Sequence, residues 1–429
     1  MSKALRMRCV WGLCGVLGSV LALASVARAE VSTDVSGSVL VFPKVVFTGA
    51  ANLIQLPGST PPRDTVIQIA NTSNNMVHAE CFYVNAQVVN GAPVWQITDF
   101  TIWLTKQQPT HWVASEGRPV DPSDYPGTDG FGIDPGAIPP VPEGFEGELK
   151  CVEVDASGTP FAGNNLKGEA LIRTSTGDVS KSNAVAILGN PDLVPGNPPN
   201  VLTLDNSVNH DGEFNACPNT WLLNHFADGA QNPVIEEFNP TWCANGLCPI
   251  RTLLTVVPCT QDFENDVPSQ VTVQFAITNE LEENFSASTT VTCWETFQLS
   301  DVDASTGKCS GNSAPCTTDQ QCIGSGTGEG FCLKSSVFSA GGLGTPTAFT
   351  QITPAGSSIN NPVPDGGVIT LAEEQHYNNK TIMGAQVSNS AFAAWNPQFT
   401  GNRYDATDPG QGGDPGGPVI DLITIPQGF

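Results

Sequence analysis

A short text occurs twice in this chain. Gln68-Ile69-Ala70-Asn71-Thr72 returns as Gln274-Phe275-Ala276-Ile277-Thr278, each copy inside a run rich in β-branched and aromatic residues and each followed by a cysteine-bearing run. The flanking blocks keep the same order. Leu40-Val41-Phe42-Pro43 precedes the first copy and Leu254-Thr255-Val256-Val257-Pro258 the second, while Cys81-Phe82-Tyr83 and Cys293-Trp294 follow them. Asn164-Asn165 before Gly168 is echoed by Asn378-Asn379 before Gly384, and Ser182-Asn183-Ala184-Val185-Ala186 by Ser388-Asn389-Ser390-Ala391-Phe392-Ala393, although the spacings between blocks differ. A period of about 200 residues, against about 20–50 for solenoids, predicts duplicated domains.

From Val39 onward, short apolar or alternating runs are broken by Gly, Pro, Asn and Asp, and no long segment keeps a helical period. That is the pattern of strands. In the first copy they are expected at 38–47, 64–72, 76–86, 95–105, 148–155, 166–174 and 183–189. In the second they are expected around 200–205, 219–226, 251–259, 270–279, 287–299, 345–353, 367–373 and 381–395. Seven strands with one chain-distant cysteine pair, Cys81 and Cys151, match an immunoglobulin-like sandwich. The predicted fold class is all-β: two tandem immunoglobulin-like antiparallel β-sandwiches, 30–190 and 191–429, with 191–250 as an alternative connector. A Pro/Gly/Asp-rich excursion from Glu116 to Gly147 reads as a cover over one sheet face, since loops longer than about 15 residues are functional or disordered where they are not structural.

The first 29 residues read as a secretory signal: Lys3, Arg6 and Arg8 precede an apolar run from Val10 to Val26, and Ala27-Arg28-Ala29 precedes Glu30. Four of the 17 basic residues and none of the 42 acidic ones lie there, so the remainder is more acidic than the whole-chain charge of −25. Such a surface repels phosphates and anionic headgroups, which excludes nucleic acid as a partner and predicts no membrane insertion of the mature chain. Its expected partners are copies of itself, other surface proteins or glycans, outside the cell or in the periplasm.

Removing Cys9 and Cys14 with the leader leaves an odd number of the 13 cysteines. In an exported chain these are expected to form disulfides, with one thiol left over. Cys243 and Cys248 are placed to close a local turn, and Cys217, Cys259 and Cys293 to supply one bridge and the odd thiol. Cys309, Cys316, Cys322 and Cys332 crowd into a Gly/Ser/Thr/Gln-rich insert, 305–335, which has too few apolar side chains for a core; two internal bridges are expected there, in any of three pairings.

Within that insert, Cys309-Ser310-Gly311, Pro315-Cys316-Thr317-Thr318-Asp319-Gln320-Gln321-Cys322 and Gly330-Phe331-Cys332 resemble short cysteine-rich inserts in exported proteins of myxobacteria-like and related proteobacteria. Asp64-Thr65-Val66-Ile67-Gln68-Ile69-Ala70-Asn71-Thr72-Ser73 and Asn215-Ala216-Cys217-Pro218-Asn219-Thr220 are similar to uncharacterised secreted proteins of the same groups. The resemblance implies an exported β-sandwich protein and carries over no activity or site residue.

The densest polar cluster, His210 and Asp211 followed by His225 and Asp228, has ligand types for a divalent metal, but its spacing is not that of a metal-binding helix or knuckle. Asp301-Val302-Asp303 opens like a calcium loop and then departs from it, with Thr306 at the sharp-turn glycine position and Asn312 at the bidentate glutamate position. Calcium is thus the one cofactor left open. No nucleophile elbow, phosphate loop or dinucleotide fingerprint is present, so no catalytic residue is assigned. For ligand binding the candidates are Trp95, Trp103 and Trp112: alternation in Phe100-Thr101-Ile102-Trp103-Leu104-Thr105 puts Trp103 on the polar face, where a sugar ring can stack. These readings predict a non-catalytic extracellular or cell-surface protein of structural, adhesive or assembly type. A carbohydrate-binding protein is the alternative, and a hydrolase with a carboxylate or metal site a third.

Overall fold

The computed structural model describes residues 31–32, 35–49, 62–89, 92–120, 133–174, 179–190, 198–205, 214–215, 217–218, 220–230, 250–309, 313–318, 320–323, 332–355, 366–382, 385–395, 398–401 and 420–426, with backbone alone for 375–401. The leader, His210, Asp211, Cys243 and Cys248 lie outside these residues.

Nine main strands make the first half: β1 Val39–Thr48, β2 Arg63–Asn71, β3 Val77–Asn85, β4 Gln96–Leu104, β5 Pro109–Val113, β6 Phe145–Val154, β7 Leu166–Thr174, β8 Val179–Asn183 and β9 Val185–Ile187. All pair antiparallel. One layer runs β9-β1-β6-β3-β4 and the other β5-β2-β7-β8. They join where Phe47 and Thr48 meet Asp64 and Arg63. Period-two alternation sends Leu40, Phe42, Ile67, Ile69, Tyr83 and Leu149 between the layers, which form a core there.

Cys81 and Cys151 are bridged, but within one layer. They stand directly opposite each other on β3 and β6, with Cα atoms 4.0 Å apart. An immunoglobulin-type bridge ties the two sheets together; this one staples neighbouring strands of one sheet and turns its sulfurs into the core.

The second half contains β10 Val201–Asp205, β11 Thr220–Phe226, β12 Ile250–Pro258, β13 Gln261–Asp262, β14 Gln270–Asn279, β15 Asn284–Thr292, β16 Glu295–Gln298, β17 Thr347–Ala355, β18 Val368–Ile382, β19 Ala385–Trp395, β20 Gln398–Gly401 and β21 Ile420–Thr424. They form a five-stranded sheet, β15-β14-β17-β11-β20, a four-stranded sheet, β16-β12-β18-β19, and a small sheet, β10-β21-β13. The segment weighed as a connector therefore supplies two paired strands, β10 and β11.

The first two echoed blocks lie on paired strands in both halves, whereas Cys81 is bridged within β3 and Cys293 is a free thiol outside any strand. β1 and β12 pair with β6 and β18, while β2 and β14 pair with β5 and β17. The later blocks differ in placement: Asn164 and Asn165 lead into β7 beside β2, whereas Asn378 and Asn379 lie within β18 against β19.

The halves share a core. The faces of β1, β3 and β6 turned away from the first core carry Val39, Val41, Phe82, Val84 and Val152, which join Val256, Phe263, Phe275 and Ile423 in one continuous cluster. Phe82 and Phe263 stack with centroids 4.8 Å apart. Charged groups are enclosed here too. A register shift between Phe42 and Val45 marks a bulge, the place where a strand tolerates proline, and there Lys44 pairs with Glu373 while the Pro43 carbonyl accepts a 2.6 Å hydrogen bond from the Trp294 indole. Lys150, fully buried, meets Glu148 at 3.2 Å and the Gln261 amide oxygen, and Gln261 donates back to Glu148.

In the insert, Cys309–Cys322 and Cys316–Cys332 bridges form the small core that its apolar residues cannot, around three short strands. Cys217 and Cys259 are also bridged, leaving Cys293 as the free thiol among the described residues.

Candidate functional site

The three tryptophans singled out from the sequence do not meet. Trp112 is core: 2% exposed, it donates a 2.5 Å hydrogen bond to the Tyr83 hydroxyl and packs edge-on to Phe100. Trp95, with a φ of 44°, packs against the core shared by the halves. Trp103 alone stays on the outward face of β4, as alternation predicts, half-buried beside β3.

Register places His78 opposite Trp103 and Glu80 opposite Thr101. The His78 ring lies parallel to the indole at 3.9 Å between centroids, tilted by 5°. Its Nδ1 is held 3.1 Å from the Asp155 carbonyl. The returning limb of the 116–147 excursion fixes the other side. Pro135 accepts a hydrogen bond from the Trp103 backbone N–H, Asp134 pairs with Arg118 at 2.6 Å, and Ile138 and Val141 enter the core. Gly136, at φ 118°, passes close to the Thr101 carbonyl, where a Cβ would sit 3.2 Å from that oxygen. The described part of the excursion thus covers the edge of β4.

Glu80 is the group sequence reasoning missed. It is 2% exposed, and its Oε1 has no hydrogen-bond partner. Burial, and next the charge of Asp99, push its carboxyl up to about 7. Asp99 stands opposite Phe82, one step along the same face, so the two acids are diagonal neighbours at about 7–8 Å between backbones. Sequence alternation could have placed Glu80 on this face, but not its burial.

The metal candidates are engaged otherwise. His225 is buried, with Nε2 2.9 Å from the Thr350 hydroxyl and Nδ1 3.0 Å from the Phe226 carbonyl, and burial pulls it down to about 4. Asp228 accepts hydrogen bonds from the backbone N–H groups of Thr252 and Ser300. A cleft of about 690 Å³ opens beside His225, between Asn224, Thr278 and Phe349. A smaller one, about 360 Å³, lies between Gln68, His111 and Lys167, so both clefts open on strands carrying the repeated text. In the calcium-like stretch, Asp301 pairs with Lys334, and Asp303 accepts from Val337 N–H and from Ser336. The close groups Cys309, Cys316, Cys322 and Cys217, Cys259, Asp421 have their sulfurs in disulfides, which removes them as thiolate ligands.

No family model matches the chain, and no curated protein matches it. Among solved structures, the PBSX exported protein XepA aligns over 74% of this chain and 87% of its own, at 10% identity and a TM-score of 0.13, a likeness that carries no argument about fold or function.

Proposed function

We propose that this chain is a non-catalytic exported protein, akin to the exported proteins its insert resembles, that acts at or beyond the cell surface in a structural, adhesive or assembly role. The observation carrying this reading is the buried seam between the halves, where Lys44–Glu373, Lys150–Glu148–Gln261 and Trp294–Pro43 cross-link one shared core. Two β units braced in this way keep their relative geometry under load. The groups that sequence offered for chemistry within the described residues, His225 and Asp228, are held by the fold's own hydrogen bonds. The four disulfides among the described residues suit an oxidising compartment, and the leader-like text of residues 1–29 agrees with it. No helix among the described residues is long and apolar enough to cross a membrane.

Light scattering on the chain lacking its leader, with and without reductant and calcium, tests the reading. Concentration-dependent, ordered multimers are expected. A strict monomer at high concentration in every condition overturns it.

A second reading, glycan binding, is favoured by one specific observation: the stacked His78–Trp103 pair on the outward face of β3 and β4. Saccharide binding is then expected to change tryptophan fluorescence, and Trp103→Ala to abolish that change. A silent glycan array with unchanged fluorescence removes this reading.

A further inference from the structure

The five-stranded sheet ends on β15, a long edge strand that carries no charge. Among the described residues β15 pairs only with β14. Its nine residues, Asn284-Phe285-Ser286-Ala287-Ser288-Thr289-Thr290-Val291-Thr292, include neither a charge nor a proline. Open edges are normally blunted by lysine, proline, bulges or short length, because unpaired backbone groups are a template for another strand. Several other edges among the described residues follow that rule; β19, as free of charge and proline as β15, instead lies against β8. β5 begins with Pro109, β8 is five residues long and carries Lys181, β16 is four residues long and carries Glu295, and β4 gives its Trp103 N–H to Pro135. β15 instead stays in regular register with β14 through nine consecutive pairs. Its outer face is a neutral ladder: the Thr272 and Thr290 hydroxyls lie 3.1 Å apart, and Thr278 donates to Asn284 at 3.0 Å.

We propose that a second copy of this chain pairs with β15 through its own β15, antiparallel about a two-fold axis, so that the sheet continues across two molecules. This deepens the assembly reading above and rests on it. The strand is self-complementary. Pairing centred on Ser288 sets Ser286 against Thr290 on the outer face, and Phe285 against Val291 and Ala287 against Thr289 on the inner face, so polar meets polar and the bulkiest apolar groups meet each other. A slip of one residue would set outer against inner positions throughout, so the register can change only in steps of two, and of these the Ser288-centred one pairs Phe285 with Val291.

Charge selects the same edge. The chain has a formal charge of −25, so most of its surface brings acid against acid when two copies approach. An uncharged strand lets them meet without a like-charge pair. The nearest acids, Glu282, Glu283 and Glu295, lie beyond the ends of the strand at Asn284 and Thr292. The contact is isologous and closes on itself, giving a dimer as the unit of any larger assembly.

Ser288 sits on the two-fold axis with its side chain exposed, so substitution there spares the core. In light scattering, the chain lacking its leader is expected to form dimers or multiples of dimers. Ser288→Lys alone and Ser288→Glu alone are expected to be monomers, because each sets like charges opposite each other, and an equimolar mixture is expected to recover a 1:1 pair. Ser288→Cys is expected to give a disulfide-linked dimer under mild oxidation, since opposed Cα atoms in antiparallel pairs lie about 4.5–5.5 Å apart, within disulfide reach. Multimers that persist in both charged variants, or a mixture that fails to pair, overturn the β15 contact and leave the assembly reading standing. A parent chain that is monomeric throughout overturns both.

Discussion

Lys44 and Glu373, 329 residues apart in the chain, form an ion pair whose side chains are 2% and 1% exposed. Burial pulls the lysine down from its ordinary range, and the glutamate beside it opposes that pull. The pair joins the bulge of β1 to β18, so the two halves are coupled at a point where either charge alone would be stranded.

Lys44→Met is therefore expected to destabilise the protein by about 3–5 kcal/mol, because it leaves Glu373 buried and uncompensated. Lys44→Met combined with Glu373→Leu is expected to recover most of that loss, as a hydrophobic pair of similar volume avoids the desolvation of both ions. Urea unfolding of the single and double variants measures it; additive losses would contradict the account.

Glu80 gives a pH dependence with a definite sign. Its folded carboxyl is raised to about 7, so between the ordinary carboxylate range and neutrality the fold holds a proton that the unfolded chain has released. Its contribution to stability is present at acid pH and is lost as the pH rises to about 7. Relative to the parent, Glu80→Gln is expected to be more stable at pH 8 by on the order of 2 kcal/mol and to lose that advantage at about pH 4.5. The same difference at both pH values, measured by urea unfolding, would contradict it.

Trp112 and Trp103 are expected to respond to the same change to different degrees. Trp112→Phe leaves the buried Tyr83 hydroxyl without its 2.5 Å donor and should cost about 1–3 kcal/mol. Trp103→Phe keeps a ring to stack on His78 and breaks no side-chain hydrogen bond to a buried partner, so it should cost less, on the order of 0.5 kcal/mol. Thermal unfolding separates the two.

Cys293 is buried, and its thiol is pushed up to about 12 by burial first and then by the Glu295 charge. At pH 8 it is expected to resist a thiol reagent in the folded protein and to react stoichiometrically in denaturant, since only the thiolate attacks. Rapid labelling of the native protein at this residue, read by mass spectrometry, would place it in a more open environment.

The seam explains why part of this fold could be read in advance and part could not. Strand positions, the outward face of Trp103 and the cysteine-built core of the insert depend on side-chain alternation and local composition, which act within a few residues. The Cys81–Cys151 bridge could be anticipated because no other cysteine lies in the first half, but not its place within one layer, which depends on β3 and β6 being neighbours. Glu80 was not legible because one side of its sheet face is enclosed and the other open, and alternation treats both sides alike.

The sequence by itself determined an all-β chain with its strands and turns, because a two-residue period and the glycine and proline breaks are local properties. The tertiary structure alone decided that Lys44, Lys150 and Glu148 are interior, that Trp112 is core while Trp103 is not, and that the halves share a core. The physical reason is distance along the chain: burial of a charge depends on partners more than a hundred residues away, such as Gln261 for Lys150, and no local pattern encodes which surfaces will meet.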